Sequence, residues 1–254
     1  MTPCLDPERY WRTLLATRTL PAEAASDPLA CAYRDFAAPE RVVLAHLGQS
    51  LDGRIATSSG HSAGVTGPEN IAHLHRLRAL ADAVLVGAGT VHHDDPKLTT
   101  RLVEGPSPVR VVIDSGRRLD DRFGLFRDGP PTLVLCAEAA VDRARLGRAE
   151  VVAVAADADG CRPEAVLDAL RARGLNRIFI EGGGQTVSRF LWAGCLDILQ
   201  ICVSPVLIGA GRPAISGPAI AAMDEALRLD GPAIPMGGDI LFHFRLVGPA
   251  AAFA

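Results

Sequence analysis

Three short stretches carry the residues best suited to chemistry: GAGTVHHDDPKLTTR (87–101), DSGRR (114–118) and EGGGQT (181–186). The first sets two histidines beside two aspartates, a combination that invites a metal ion. Adjacent side chains point about 100° apart on a helix and to opposite faces on a strand. His92 and His93 therefore do not converge easily on one ion, and the H-E-x-x-H spacing and any cysteine cluster are missing. No metal is expected; a surface loop with local aspartate capping bonds is the plainer reading. In EGGGQT, Gly182, Gly183 and Gly184 let backbone approach a ligand closely. A helix starting there would offer free N–H groups and its positive dipole end to a phosphate. The stretch is not G-x-G-x-x-G, and a tight turn without ligand is an equal alternative. DSGRR adds Ser115, Arg117 and Arg118, a hydroxyl and guanidinium groups that suit the 2′-phosphate separating NADPH from NADH. A solvated turn would look the same.

These stretches gain meaning from the elements that precede them. VLVGAGT, VVIDSGRR and IFIEGGGQT each run from an apolar strand into small or polar residues. Ligands of open α/β sheets bind at such carboxyl ends, so three of them together point toward a dinucleotide. RVVLAHL, PTLVLCAE and EVVAVAAD read as further strands. PENIAHLHRLRALA has helical spacing through Ile71, Leu74, Leu77 and Leu80, with Pro68 in its first turn. RPEAVLDALRARG is an amphipathic helix closed by Gly174, and QTVSRFLWAG is another helix. Strands separated by helices of this length give βαβ units and a mostly parallel sheet. DILQICVSPVLIG and GGDILFHFRLVG read as long closing strands joined only by a loop from Ala210 to Gly238, hence an antiparallel C-terminal edge. The fold class is α/β, a mixed sheet flanked by helices.

Residues 1–39 form an N-terminal extension, and 40–254 one catalytic-type domain. In the extension, PERYWRTLLATR places Tyr10, Trp11, Leu14 and Leu15 on one side of a helix that packs on the body, and LPAEAASDPLA reads as linker. A lid over a site is the alternative. A formal net charge of -3 argues against a nucleic-acid binder driven by bulk charge, so an anion must be held locally. None of the six cysteines forms a C-x-x-C pair, there is no signal-peptide pattern, and no apolar run is long enough to span a bilayer. A cytoplasmic protein without membrane or nucleic-acid partners is expected.

In order along the chain, LGQSLDGRIATSSGHS, HRLRALADAVLVGAGTV, DDPKLTTR, VRVVIDS, IFIEGGG and LDILQICVSPVLIG resemble the riboflavin-biosynthesis reductase family. This is the C-terminal reductase half of the bifunctional pyrimidine deaminase/reductase. The resemblance implies a dihydrofolate-reductase-like fold, a homodimer, NADPH as cofactor, and a phosphorylated ribosylamino-pyrimidine whose ribose is reduced to a ribityl chain. It implies that Ser62, Arg78, Leu98 and Arg101 hold the substrate, the two arginines suiting its 5′-phosphate. Glu181 would meet the substrate beside the nicotinamide as the catalytic residue. Thr90, Asp94, Ser115, Arg118, Gly183, Gly184, Gln185 and Thr186 would hold NADPH. The sequence departs from the family at Gln49, where alanine is common, and at Gly64, where some relatives carry a large aromatic; both fall near the expected cofactor. No general acid stands out: Glu181 or Asp52 could relay a proton, and His46, His73 and His75 read as structural. The deaminase motifs H-x-E and P-C-x-x-C do not occur. A paralogue acting on another heterocycle, such as a dihydropterin, and a non-catalytic NADPH-binding protein are the competing readings.

Overall fold

The structure, a computed structural model, describes residues 6–246. Cys4 and the last two residues of the final expected strand, Val247 and Gly248, lie outside them. Its helices are α1 (Trp11–Thr17), α2 (Pro28–Ala37), α3 (Pro68–Leu80), α4 (Ala88–Asp94), α5 (Pro163–Arg171) and α6 (Gly184–Trp192). The strands run β1 (Val42–Ser50), β2 (Arg54–Thr57), β3 (Ala83–Gly87), β4 (Val109–Ile113), β5 (Thr132–Ala137), β6 (Arg145–Leu146) and β7 (Ala149–Val154). They continue β8 (Ala156–Asp157), β9 (Gly160–Cys161), β10 (Arg177–Ile180), β11 (Ile198–Ser204), β12 (Gly211–Pro213), β13 (Ala233–Met236) and β14 (Asp239–Arg245).

Ten of these strands make one sheet in the order β13-β14-β11-β1-β10-β3-β4-β5-β7-β6. Every pairing from β11 to β7 is parallel, and antiparallel pairs close both edges. Strand alternation divides the core into two faces. Val42 and Leu44 of β1 point to one face, where Trp11, Tyr33, Leu77 and Val91 bring α1 to α4. Val43, Ala45 and Leu47 point to the other, against Val166, Leu170, Val187 and Phe190 of α5 and α6. The sheet is therefore covered by helices on both sides, the arrangement that buries parallel strands fully. This is the mixed, mostly parallel architecture read from the sequence.

Several details differ from that reading. The stretch taken as linker holds a 3-10 turn, Ala22–Ala24, and the start of α2, whose Asp27 side chain caps Ala30 N at 2.8 Å with Pro28 opening the first turn. The loop from 210 to 238 contains β12, which pairs with β2, and β13, which hairpins onto β14. HHDD belongs largely to α4 rather than to a loop. On α3 the buried face carries Asn70, His73, His75, Leu77 and Arg78, whereas Ile71 is 40% exposed.

That polar face meets a buried network. The Gln200 carbonyl accepts from His73 Nε2 at 2.8 Å and His46 Nδ1 at 3.2 Å, and its amide donates to His243 Nδ1 at 3.1 Å. These roles leave His73 Nδ1 to accept from the Tyr33 hydroxyl at 2.8 Å and aim His243 Nε2 at Asp35 Oδ2, 3.5 Å away. One assignment of protons thus accounts for these hydrogen bonds and leaves His46 Nε2 buried without a partner. Burial drives the His46 pKa down to about 4 and pushes His73 well below the ordinary range.

Candidate active site

The chain lays down β3, β4, β5 and β7 outward on one side of β1, then returns to slot β10 between β1 and β3. Such a reversal opens a crevice at the carboxyl ends of the strands. Glu181 and three glycines follow β10 directly, with Glu181 N anchored on Leu85 O at 2.9 Å.

The turn after Glu181 has a backbone only glycine adopts at low cost: φ is 107° at Gly182 and 71° at Gly183. A Cβ on Gly183 would stand 3.1 Å from Thr90 Oγ1 and 3.6 Å from Thr186 Oγ1, and one on Gly87 would stand 2.5 Å from that same Thr186 oxygen. Two hydroxyls therefore converge on bare backbone where α6 begins. Gly184 is closed in by the carbonyls of Pro213 and Ala214, so β12 roofs the helix start. Gln185 is exposed beside it.

On the other side of Glu181 stands Arg78. Its Nε donates to Glu181 Oε2 at 2.6 Å, its Nη2 to Glu181 Oε1, and its Nη1 to Thr99 O at 2.9 Å. The two side chains are 8% and 11% exposed, so the pair is largely buried. Arg78 is consequently engaged by Glu181 and the 94–101 loop, while Arg101 is exposed, its Nη1 bonded only within the loop, to Thr99 Oγ1 at 2.9 Å and Thr99 O at 3.4 Å. Leu98 has its side chain in the core, 1% exposed, and a φ of 52°. Left-handed backbone at a bulky residue is strained and persists where surrounding structure enforces it.

The HHDD residues diverge. His93 Nε2 lies 3.0 Å from Arg212 Nη2, His92 packs edge-on against His93, Asp94 lies 3.5 Å from the Ser62 hydroxyl, and Asp95 accepts from Gly124 N at 2.9 Å. Asp94 and Ser62 are thus brought together. Gln49 is half-buried near the end of β1, and Gly64 is exposed with open space where a side chain would stand. Ser115 is not grouped with them by any contact: its hydroxyl accepts from Cys161 N at 2.9 Å and faces Cys161 Sγ at 3.2 Å. Arg117 is turned inward onto Asp142, leaving Arg118 as the exposed guanidinium of that turn.

A sequence profile of the RibD C-terminal domain matches residues 41–232. The chain belongs to that family. The 2,5-diamino-6-ribosylamino-4(3H)-pyrimidinone 5′-phosphate reductase of Methanothermobacter thermautotrophicus is 32% identical over 213 residues, covering 81% of this chain and 98% of that one. A protein of the same description from Archaeoglobus fulgidus is 32% identical, over 66% and 81% of the two chains. Among solved structures, the deaminase/reductase of Thermotoga maritima superposes with a TM-score of 0.69 at 28% identity. That alignment covers 86% of this chain and 60% of the Thermotoga chain. The fold is the dihydrofolate-reductase-like one of the RibD reductases.

Two residues of this RibD-type domain have roles the sequence does not specify. His75, read as structural, is buried, and its Nδ1 accepts from Arg101 N at 2.9 Å, pinning the backbone of the exposed arginine. Burial first, then Arg78 and Arg101, hold its pKa down to about 4, so it remains a neutral acceptor. Asp52, considered as a proton relay, instead clamps the loop after β11: it accepts from Ser50 Oγ at 2.5 Å, Gly209 N at 2.7 Å and Ile208 N at 3.1 Å. Those bonds lower its pKa to about 2, which removes it as a proton donor near neutrality. Neither role had a sufficient local signal, since Arg101, Ile208 and Gly209 are remote in sequence from the residues that hold them.

Proposed function

We propose that the chain is an NADPH-dependent reductase that converts the ribosyl group of a 5-amino-6-(5-phosphoribosylamino)pyrimidine to ribityl in riboflavin biosynthesis. The observation that carries this is continuity: Glu181, bonded to Arg78, and the Gly182–Gly184 turn are consecutive residues at one strand end. A substrate held from the Arg78 side and a cofactor held on the glycine turn meet at Glu181. The archaeal reductase aligned over 98% of its length names the substrate class.

The residues fit a dinucleotide phosphate: bare backbone at Gly183, hydroxyls of Thr90 and Thr186, and the N–H groups of α6 that open at Gly184. When bound, NADPH supplies the hydride that C1′ of the opened, imine-like sugar accepts. Arg118 is assigned the 2′-phosphate, and Asp94 the adjoining ribose side. Arg101 takes the substrate's 5′-phosphate, with Ser62 and the Leu98 backbone along its length. Glu181 positions the pyrimidine and sugar against the hydride donor, and this orientation supplies much of the rate. We assign residues 40–254 as the reductase domain, acting as a cytoplasmic homodimer.

The test is NADPH oxidation with the deaminated pyrimidine, its undeaminated form and dihydropterins. Turnover of a pyrimidine is expected, and Arg101→Ala should lower its kcat/KM roughly 30-fold, about 2 kcal/mol for a charge-assisted phosphate contact. Dihydropterin turnover indifferent to Arg101→Ala would replace this reading with the paralogue. A smaller effect is expected at the cofactor turn. A methyl on Gly184 would lie 2.6 Å from Pro213 O and press on Ala214 O, both backbone atoms that give way only if β12 shifts. Gly184→Ala should weaken NADPH binding about tenfold, at the overpacking scale of ~1–3 kcal/mol. Fluorescence titration measures this, and unchanged affinity would exclude the turn from the cofactor site.

A further inference from the structure

We infer that α1 clamps the Arg101 loop, and that Trp11 is a positioning residue for the phosphate end of the substrate; the inference rests on the role given to Arg101 above. Helix α1 precedes the residues matched by the family profile. Trp11 is 1% exposed, and its indole N–H donates to Glu104 O at 2.8 Å. Leu15, one turn on, lies against Gly105, where a Cβ would stand 3.5 Å from Leu15 Cδ2 and 2.6 Å from the Ala79 methyl. That close approach fits the loop tip between α1 and α3. From the far side, Arg76 of α3 lies over the Trp11 ring at 5.8 Å and pairs with Glu8 at 2.8 Å.

The segment between Arg101 and this contact is closed on itself. Thr100 N donates to Ser107 Oγ at 3.0 Å, and Thr100 Oγ1 to Pro106 O at 2.9 Å. The Arg101 backbone is thus fixed from behind by His75 and from the tip by Trp11. No helix or strand stiffens residues 95–108, so these bonds decide whether Arg101 is preplaced. A preplaced loop spares the ordering cost when substrate binds. The consequence falls on substrate affinity rather than on the hydride step or the cofactor.

Trp11→Phe keeps most of the ring and removes the donor. The KM for the phosphorylated pyrimidine is expected to rise about tenfold, with kcat and NADPH affinity within about twofold of wild type. Tryptic cleavage after Arg101, followed by mass spectrometry without substrate, should accelerate, while the melting temperature moves little. An unchanged KM and unchanged cleavage would overturn the clamp. So would a parallel loss of kcat, KM and cofactor affinity without added cleavage, which marks a purely structural role. If the wild-type protein reduces no phosphorylated pyrimidine, the substrate reading falls, and cleavage at Arg101 alone decides: faster in Trp11→Phe supports the clamp, unchanged refutes it.

Discussion

Glu181→Ala is expected to unfold at a markedly lower temperature than wild type, having lost about 3–5 kcal/mol of stability, and to lose on the order of 10²-fold in kcat/KM. The stability effect follows from what stays behind. Arg78 is nearly buried, and two of its three donor nitrogens face Glu181. Without the carboxylate, the guanidinium keeps Thr99 O and a distant His75 nitrogen 3.4 Å away. His75 cannot compensate, because its Nδ1 is already an acceptor and its Nε2 then carries the proton. The remaining charge is under-solvated, and desolvation of an unpaired ion outweighs what the pair itself contributed. The converse is the sharper check. Arg78→Leu combined with Glu181→Leu should be more stable than either single change, with a coupling of roughly 2–3 kcal/mol in a double-mutant cycle. Additive losses would show the two side chains to be independent. The activity effect has a separate cause: Glu181 leads directly into the glycine turn, and in the proposed site a drift of about 1 Å there would misplace donor and acceptor together.

The second large effect is acid lability. His46 and His73 are buried and neutral, with folded pKa values depressed by burial, His46 to about 4. In the unfolded chain both titrate near 6.5, so between about pH 6.5 and 4 the unfolded state binds protons that the folded state refuses. Stability is therefore full above about pH 6.5 and falls as pH drops toward 4. His46 alone contributes a loss of roughly 3 kcal/mol across that window, and His73 adds in the same direction. Asp52, with its pKa held near 2, acts in a different window: its contribution is lost only as pH falls below the unfolded carboxylate range. Urea unfolding at several pH values checks this. A curve flat from about pH 7 to 5 would contradict the neutral network, whereas His46→Leu should reduce the slope by about one proton.

How much of this was readable before the structure depends on the distance over which each residue finds its partner. The central strands and the glycine turn were legible because apolar runs ending in small residues are local signals. Helix α3 was recognised, but its buried face was misjudged. Ile71 and Leu74 drew the periodic reading, yet His73 faces inward because Gln200, far along the chain, supplies its acceptor. The β2–β12 pair was missed for a similar reason, each strand being too short to show alternation. β13, read as part of the loop, is a four-residue edge strand whose position tolerates Pro235. Helix α2 did have a signature in Asp27-Pro28, obscured by the surrounding alanines. At the candidate site, the positive-φ turn at Gly182 and Gly183 was legible by residue type. That Ser115 bonds to Cys161, and that Arg78 is taken up by Glu181, are tertiary facts.

The position of β1 has a consequence for how the molecule comes into being. It is the first long strand among the described residues, yet its sheet neighbours, β10 and β11, belong to the last third of the sequence. Helix α2 waits longer still, since Asp35 meets His243 and Arg245 of β14. A nascent chain stopped before residue 239 therefore carries an unpaired β11 edge and a Gln200 amide without its His243 acceptor. Vectorial folding cannot finish the sheet from its amino end. Closure is a late, long-range event, and truncations near the carboxyl end should aggregate rather than fold as smaller units.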